Sequence, residues 1–197
     1  MNGLNFELAP GDRVGLVGPN GSGKTTMCRI IMGLLKADSG GVEVFGKLMK
    51  QESDFARIRG RIGYLFQDSD DQLFCPTVLE DIAFGPLNQG KTPKEAKRIV
   101  ESTLQLLKLN GIAERFTHQL SGGEKRLVSL ASVMAMEPEV LLLDEPTTGL
   151  DEETTETLVT VLTKSDLTYV TVSHDTDFLE RISNKILIMK GGELQPV

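Results

Sequence analysis

The chain is poor in cysteine: 197 residues carry only Cys28 and Cys75. These two are neither closely spaced nor joined by a histidine cluster, so no metal-binding pattern is present, and the usage fits a reducing compartment. Cys28 is expected inside a helix and Cys75 in a loop, both as unreactive structural thiols. Long apolar runs are missing too. The longest, such as Val140 to Leu143, fall far short of the roughly 20 residues that a membrane helix needs, so any membrane role must pass through another chain. Positive charge is in deficit: a net charge of −7 argues against a broad basic surface and leaves room only for a small basic patch. No nucleic-acid partner is expected. The start, "MNGLNFELAPGDR", lacks a basic stretch followed by an apolar one, so no secretory signal is expected and a cytoplasmic location follows. Repeats, low-complexity segments and Pro/Gly/Ser linkers are absent as well. With 40% hydrophobic and 25% charged residues the composition is that of an ordinary globular chain, long enough for a sizeable core in one domain with room for a subdomain.

What is present is an alternation of short apolar runs with amphipathic stretches of helical length, the pattern of an α/β protein with a mainly parallel sheet. Four runs end at an unusual polar group. Arg13 to Val17 leads into "GPNGSGKTT" from Gly18, Ile62 to Phe66 into Gln67, Val140 to Leu143 into Asp144-Glu145, and Tyr169 to Ser173 into His174. Open α/β sheets bind ligands beyond the carboxyl ends of their strands, so groups scattered along the sequence can converge on one edge.

The stretch Gly18-Pro19-Asn20-Gly21-Ser22-Gly23-Lys24-Thr25 has the G-x-x-x-x-G-K-[ST] spacing of a phosphate loop, with a strand before it and the apolar periodic stretch Met27 to Leu35 after it. Glycines let backbone N–H groups wrap the phosphates. Lys24 is expected on the β and γ phosphates, and the Thr25 hydroxyl on Mg²⁺. Asp144 and Glu145 follow four apolar residues, where a protein has little structural reason to place two charges. Asp144 would support Mg²⁺, while Glu145 would orient and deprotonate the water attacking the γ phosphate. "DEPTTG" also reads as an ordinary acidic turn. Gln67 is a candidate for Mg²⁺ or the attacking water, and His174 for a hydrogen bond to the γ phosphate. Each also has a plain structural reading, as a capping or solvated side chain. His118 lacks such a placement and is read as structural.

A helical region separates Gln67 from Asp144. Thr92-Pro93-Lys94-Glu95 has a capping box with proline at the first helical position; Ala96, Ile99, Val100, Thr103, Leu104 and Leu107 then trace one face, and Asn110-Gly111 is expected to stop the helix. The next helix begins at "LSGGEKR", where Ser121 and Glu124 have capping-box spacing. The pair Gly122-Gly123 costs helix stability, about 1 kcal/mol per glycine relative to alanine. A capped helix with a loose first turn fits this spacing. So does a helix start whose bare N–H groups receive an anion.

Together these residues resemble the ATP-binding cassette (ABC) ATPases over essentially the whole chain. "GPNGSGKTT" is similar to the Walker A loop, Gln67 to the Q-loop residue, "LSGGE" to the signature motif, "VLLLDE" to Walker B, Gly149-Leu150-Asp151 to the D-loop and His174 to the switch histidine. The resemblance implies a P-loop NTPase (RecA-like) core spanning 1–197 as one ABC ATPase domain, with a helical subdomain inserted at about 68–135. It implies ATP and Mg²⁺ as cofactors. Gly18 to Thr26 would bind nucleotide, Thr25, Gln67 and Asp144 the metal, and Lys24, Gln67, Glu145 and His174 would serve catalysis. Two cassettes would stack head to tail, this chain with itself or a related ATPase subunit, so that Ser121, Gly122 and Gly123 meet the γ phosphate held by the partner.

A narrower resemblance lies in residues 66–90, "FQDSDDQLFCPTVLEDIAFGPLNQG", which is similar to the ATPases of cobalt, nickel and energy-coupling-factor vitamin transporters. Glu124, where many cassettes have glutamine, fits the same group. The implied function is ATP hydrolysis in a membrane importer for a metal ion or vitamin, at the cytoplasmic face of the membrane, held there by a separate integral membrane subunit. The exposed part of Asp70 to Thr77, with Leu73 and Phe74, is the expected docking surface. The competing reading is a soluble mechanical ATPase in DNA repair or translation. One departure concerns the start: only seventeen residues precede Gly18, so the family's N-terminal strand and adenine-stacking aromatic are expected to be missing, Phe6 being too close for that role.

Overall fold

The computed structural model describes residues 3–196. In chain order the elements are β1 (Arg13–Val17), α1 (Lys24–Ile31), β2 (Val42–Val44), β3 (Lys47–Met49), α2 (Glu52–Ile58), β4 (Ile62–Leu65), α3 (Val78–Asn88) and α4 (Pro93–Leu106). A short 3-10 turn (Thr117–Gln119) precedes α5 (Gly122–Met134), β5 (Val140–Asp144), α6 (Glu152–Lys164), β6 (Thr168–Val172), α7 (Thr176–Ile182), β7 (Lys185–Lys190) and β8 (Glu193–Pro196). The chain divides into two units: the first takes in the chain through Tyr64, Glu139–Asp144 and everything from Leu167, the second Leu65–Pro138 and Glu145–Asp166.

The first unit holds a six-stranded sheet of order β4-β5-β6-β1-β7-β8. The pairs β5–β6, β6–β1 and β1–β7 are parallel, and β8 returns antiparallel to β7. Strands covered on both faces read as near-continuous apolar runs, which is why Val14, Leu16, Leu141, Leu142, Leu143, Tyr169 and Val170 are all buried. Helix α7 packs on β1. Gly15 permits this approach, since a Cβ there would stand 2.9 Å from Ser183 Oγ and 3.3 Å from Leu179 Cδ2. The Tyr169 hydroxyl donates to the Ile182 carbonyl, and burial pushes its pKa up to about 12. Strands β2 and β3 form a hairpin whose turn residues Phe45 and Gly46 have φ of 50° and 74°, the backbone that tight hairpins favour. Helix α1 stops at Ile31, and Gly33 at φ 68° turns the chain, so the apolar stretch outlasts the helix and leaves Leu34 and Leu35 exposed.

In the second unit α3, α4 and α5 pack against one another. Helix α4 starts as its sequence predicts: Thr92 Oγ1 accepts from Glu95 N–H at 3.3 Å and Glu95 accepts from Thr92 N–H at 2.7 Å. Ala96, Val100, Thr103, Leu104 and Leu107 are buried. The helix ends earlier than expected, at Leu106 rather than at Asn110-Gly111. Lys108 takes the left-handed conformation at φ 56°, while Leu109 N–H bonds Leu104 O at 2.8 Å and Lys108 N–H bonds Gln105 O at 3.2 Å. This is the Schellman pattern of hydrogen bonds, with lysine where glycine is usual.

The loop before α3 is tied down from within the same unit. Asp81 Oδ2 accepts from Phe74 N–H at 3.0 Å and Cys75 N–H at 2.7 Å. Burial raises the pKa of this carboxyl, and the two N–H donors offset that rise only in part. Asp81→Ala leaves those donors without their acceptor. It is expected to lower the unfolding free energy by about 1–3 kcal/mol, read by urea denaturation.

Candidate nucleotide site

In the first unit, register places three of the expected groups on one sheet edge. Leu16 of β1 and Asp144 of β5 both pair with Val172 of β6, so the loop after Val17, the Asp144 carboxylate and His174 follow strand ends that lie side by side. The loop from Gly18 to Gly23 turns through positive φ at Gly18, Gly21 and Gly23. Lys24 is buried, and its Nζ donates to Gly18 O at 2.7 Å and Pro19 O at 3.1 Å, which folds the loop around the ammonium. Gly23 caps α1 without any side-chain hydrogen bond, so the first-turn N–H groups are not taken up by a cap. Thr25 and Thr26 lie in that first turn. Ser22 Oγ is buried and has no hydrogen-bond partner among the described residues.

Asp144 is fully buried at the end of β5, and Tyr64 Oη donates to its Oδ2 at 3.5 Å. Burial raises the Tyr64 pKa, with smaller contributions from Cys28 and Asp144. The Cys28 thiol lies inside α1, pushed far up by burial and then by the Asp144 charge; Cys75 lies in a loop with its pKa raised as well. Both cysteines are free and stay protonated. His174 is exposed, between buried Ser173 and Asp175, which caps α7 by accepting from Phe178 N–H at 2.9 Å.

In the second unit Gln67, Glu145 and the start of α5 come together through one side chain that the sequence reading overlooked. Arg126 Nη2 donates to Glu145 O at 2.8 Å, Nε to Pro146 O at 3.4 Å, and Nη1 to Phe66 O and, at 3.2 Å, to Gln67 O. The signal was available: an arginine in phase with Leu130 and Val133 on the buried face of a helix. Glu145 itself has φ of 51°. The Gln67 side chain is exposed.

The start of α5 forms the full capping box. Glu124 N–H donates to Ser121 Oγ at 3.2 Å and Ser121 N–H to Glu124 Oε2 at 2.8 Å, while Arg115 donates to Glu124 Oε1 at 2.5 Å. The Ser121 N–H bond, aided by Arg115, holds the Glu124 carboxyl below its usual range. Neither Gly122 nor Gly123 has a positive φ. A Cβ on Gly122 would meet nothing within 4 Å, and one on Gly123 would make only ordinary contacts, 3.5 Å to Gly149 O and 3.8 Å to Leu150 Cδ2. Nothing among the described residues therefore demands glycine at either position. His118, on the 3-10 turn, stacks on Phe116 with centroids 5.5 Å apart.

The profile of the family described as ABC transporter matches residues 1–148. The chain belongs to the ABC transporter family. The cassette is 39% identical over 198 residues to the energy-coupling factor transporter ATP-binding protein EcfA of Methanothermobacter thermautotrophicus, an alignment spanning 98% of this chain and 64% of EcfA. Among solved structures, CbiO1 from Clostridium perfringens, described as part of the ABC transporter complex CbiONQ, matches with a TM-score of 0.86 at 32% identity, over 98% of this chain and 79% of that one. A dimeric ATP-binding cassette in a post-hydrolysis state, bound to ADP and Pi, matches with a TM-score of 0.90 at 28% identity, over 98% of this chain and 88% of that one. The cassette is thus an ABC-type ATPase with the P-loop NTPase fold, an ATP-binding transporter subunit related to EcfA and CbiO.

Proposed function

We propose that the cassette is the ATP-hydrolysing subunit of a membrane importer for a metal ion or a vitamin, in which ATP-driven closure of a head-to-tail dimer moves a separate integral membrane subunit. The observation that carries the dimeric reading is the pair Gly122-Gly123: two glycines that cost helix stability, that no φ or internal contact requires, and that leave the backbone of a helix start bare. A γ phosphate held by a second cassette is the ligand that gives them a purpose. EcfA and CbiO1, both parts of transporter systems, support the importer class. No helix among the described residues is long and apolar enough to cross a membrane, so the partner supplies the span.

Within this reading the loop from Gly18 to Thr26 binds the triphosphate through its backbone amides, and Lys24 turns its ammonium from the Gly18 and Pro19 carbonyls to the β and γ phosphates. The Thr25 hydroxyl, the Asp144 carboxylate and the Gln67 amide are the hard oxygen donors that Mg²⁺ takes. These three would hold the ion, which neutralises phosphate charge when bound. Glu145 accepts the proton of the attacking water, and His174 donates to the γ phosphate. Residues from about 68 to 135 form the helical subdomain that meets the membrane subunit.

Of Leu73 and Phe74, in the docking surface expected at Asp70 to Thr77, Phe74 is the exposed one. It is 65% exposed and edge-to-face with exposed Phe84 at 4.8 Å, whereas Leu73 is half-buried. Phe74→Ser is expected to weaken assembly with the membrane subunit about tenfold or more, the effect of losing an aromatic anchor, with little change in ATP affinity or melting temperature. A fall in assembly merely proportional to a fall in stability would assign Phe74 to packing. The importer reading as a whole is tested by purification from detergent-solubilised membranes: a small integral membrane protein should come with the cassette, and its absence, with nucleic acid or ribosomes in its place, would overturn it.

A further inference from the structure

We infer that Arg126 is the positioning residue that sets Gln67 and Glu145 for hydrolysis, an inference that rests on the roles proposed above for those two residues. Arg126 is only 3% exposed, and arginine is almost never buried unless its donors are engaged. Here they reach four backbone carbonyls from two stretches far apart in sequence: Phe66 and Gln67 on one side, Glu145 and Pro146 on the other. A planar guanidinium can bridge two such stretches at once, and an ammonium cannot fix both directions together.

The grip on Glu145 matters because of its backbone. A φ of 51° is uncommon for a residue with a side chain and aims that side chain differently from an extended residue at the same place. The Glu145 carbonyl is held in this turn by Arg126 at 2.8 Å and by Thr148 N–H at 3.2 Å. Arg126 therefore touches neither nucleotide nor water in this assignment. It fixes the main chain from which the base and the glutamine project. General-base catalysis needs the carboxylate within hydrogen-bond reach of the water, and an error of about 1 Å can cost on the order of a hundredfold in rate.

The test compares the unsubstituted cassette with Arg126→Met, which keeps the stem volume and removes the fork. Expected is a fall in kcat of about 10- to 100-fold, with KM and the ATP dissociation constant within about threefold of the starting values. A second readout uses the Glu145→Gln background: E145Q/R126M should form the ATP-bound dimer at ATP concentrations within about threefold of those for E145Q alone, because the start of α5 stays folded. A purely structural arginine would give the opposite pattern, with binding and dimer formation lost in step with turnover, and that result would overturn the inference. A kcat for R126M within about twofold of the unsubstituted value would overturn it as well. Should R126M melt too low to assay, Arg126→Lys keeps the charge, and the same split between kcat and KM is expected. Normal turnover by E145Q alone would defeat the general-base reading and the Glu145 half of this inference, whereas inactive E145Q with unaffected R126M defeats this inference only.

Discussion

Glu145→Gln is expected to bind ATP with near-unchanged affinity and to lose steady-state turnover by a factor of about 100 or more, the range that a positioned general base supplies. The substitution is mild everywhere except at the proton. Glutamine keeps the shape and hydrogen-bonding reach of glutamate, but its amide is a far poorer base. Two contacts that fix residue 145, from Arg126 and from Thr148 N–H, go to its backbone carbonyl and survive the exchange. Nucleotide titration and phosphate release measured on the same preparation separate the two effects. With hydrolysis blocked, the ATP-bound dimer should persist in size-exclusion chromatography. Near-normal phosphate release would remove Glu145 from the role of base.

The strand ends were the most legible part of this molecule, because a parallel strand buried on both faces needs an apolar run and the polar group that interrupts it stands out. Arg13 to Val17 and Val140 to Leu143 fall on β1 and β5 almost to the residue, and the runs before Gln67 and His174 miss β4 and β6 by one residue at their ends. The run Ile186 to Met189 of β7 is as apolar but ends at Lys190-Gly191 rather than at a group that suggests chemistry, and the hairpin β2–β3 and strand β8 left no comparable mark. Three-residue strands are too short for periodicity, and the Phe45-Gly46 turn asks a phenylalanine to adopt φ of 50°, which no turn rule favours. Arg61 helps to account for it: its guanidinium lies 3.7 Å from the centroid of the Phe45 ring while its Nε donates to Glu139 at 2.5 Å. These are contacts between residues distant in sequence. The end of α4 is a local matter instead: Lys108 takes the role expected of Gly111, because the Leu104 and Gln105 carbonyls find donors five and three residues on. Arg126, like Phe45, was hidden by contacts distant in sequence. Its sequence neighbours mark it as one charge in a basic pair with Lys125, but Lys125 reaches Asp70 at 2.6 Å with its head near the surface while Arg126 turns inward to four carbonyls. Helical phase with Leu130 and Val133 marks Arg126 for the buried face, but the carbonyls that it reaches emerge only in three dimensions.

The second large effect is a recovery of activity. Ser121→Arg and Lys24→Ala are each expected to reduce ATP hydrolysis about a hundredfold or more as separate preparations, Ser121→Arg by placing a bulky cation where a phosphate should approach and Lys24→Ala by removing the cation on the β and γ phosphates. Ser121→Arg also removes the Oγ that accepts from Glu124 N–H, a loss of about 1 kcal/mol that leaves the rest of α5 in place. Its monomer should bind nucleotide almost as before, since the phosphate loop is untouched. In the head-to-tail dimer proposed above, each composite site would take a phosphate loop from one subunit and the start of α5 from the other. A mixed dimer therefore gathers both lesions into one site and leaves the other intact. Random reassociation of equal amounts makes about half of the dimers mixed, each with one working site of two, so roughly a quarter of the unsubstituted activity should return if the sites turn over independently. The mixed species is verified by tagging one partner and recovering the other through it. Activity that stays at the level of the separate variants, with mixed dimers demonstrated in this way, would mean that Ser121 and Lys24 do not serve one nucleotide from opposite subunits, and Gly122 and Gly123 would again be glycines without a ligand.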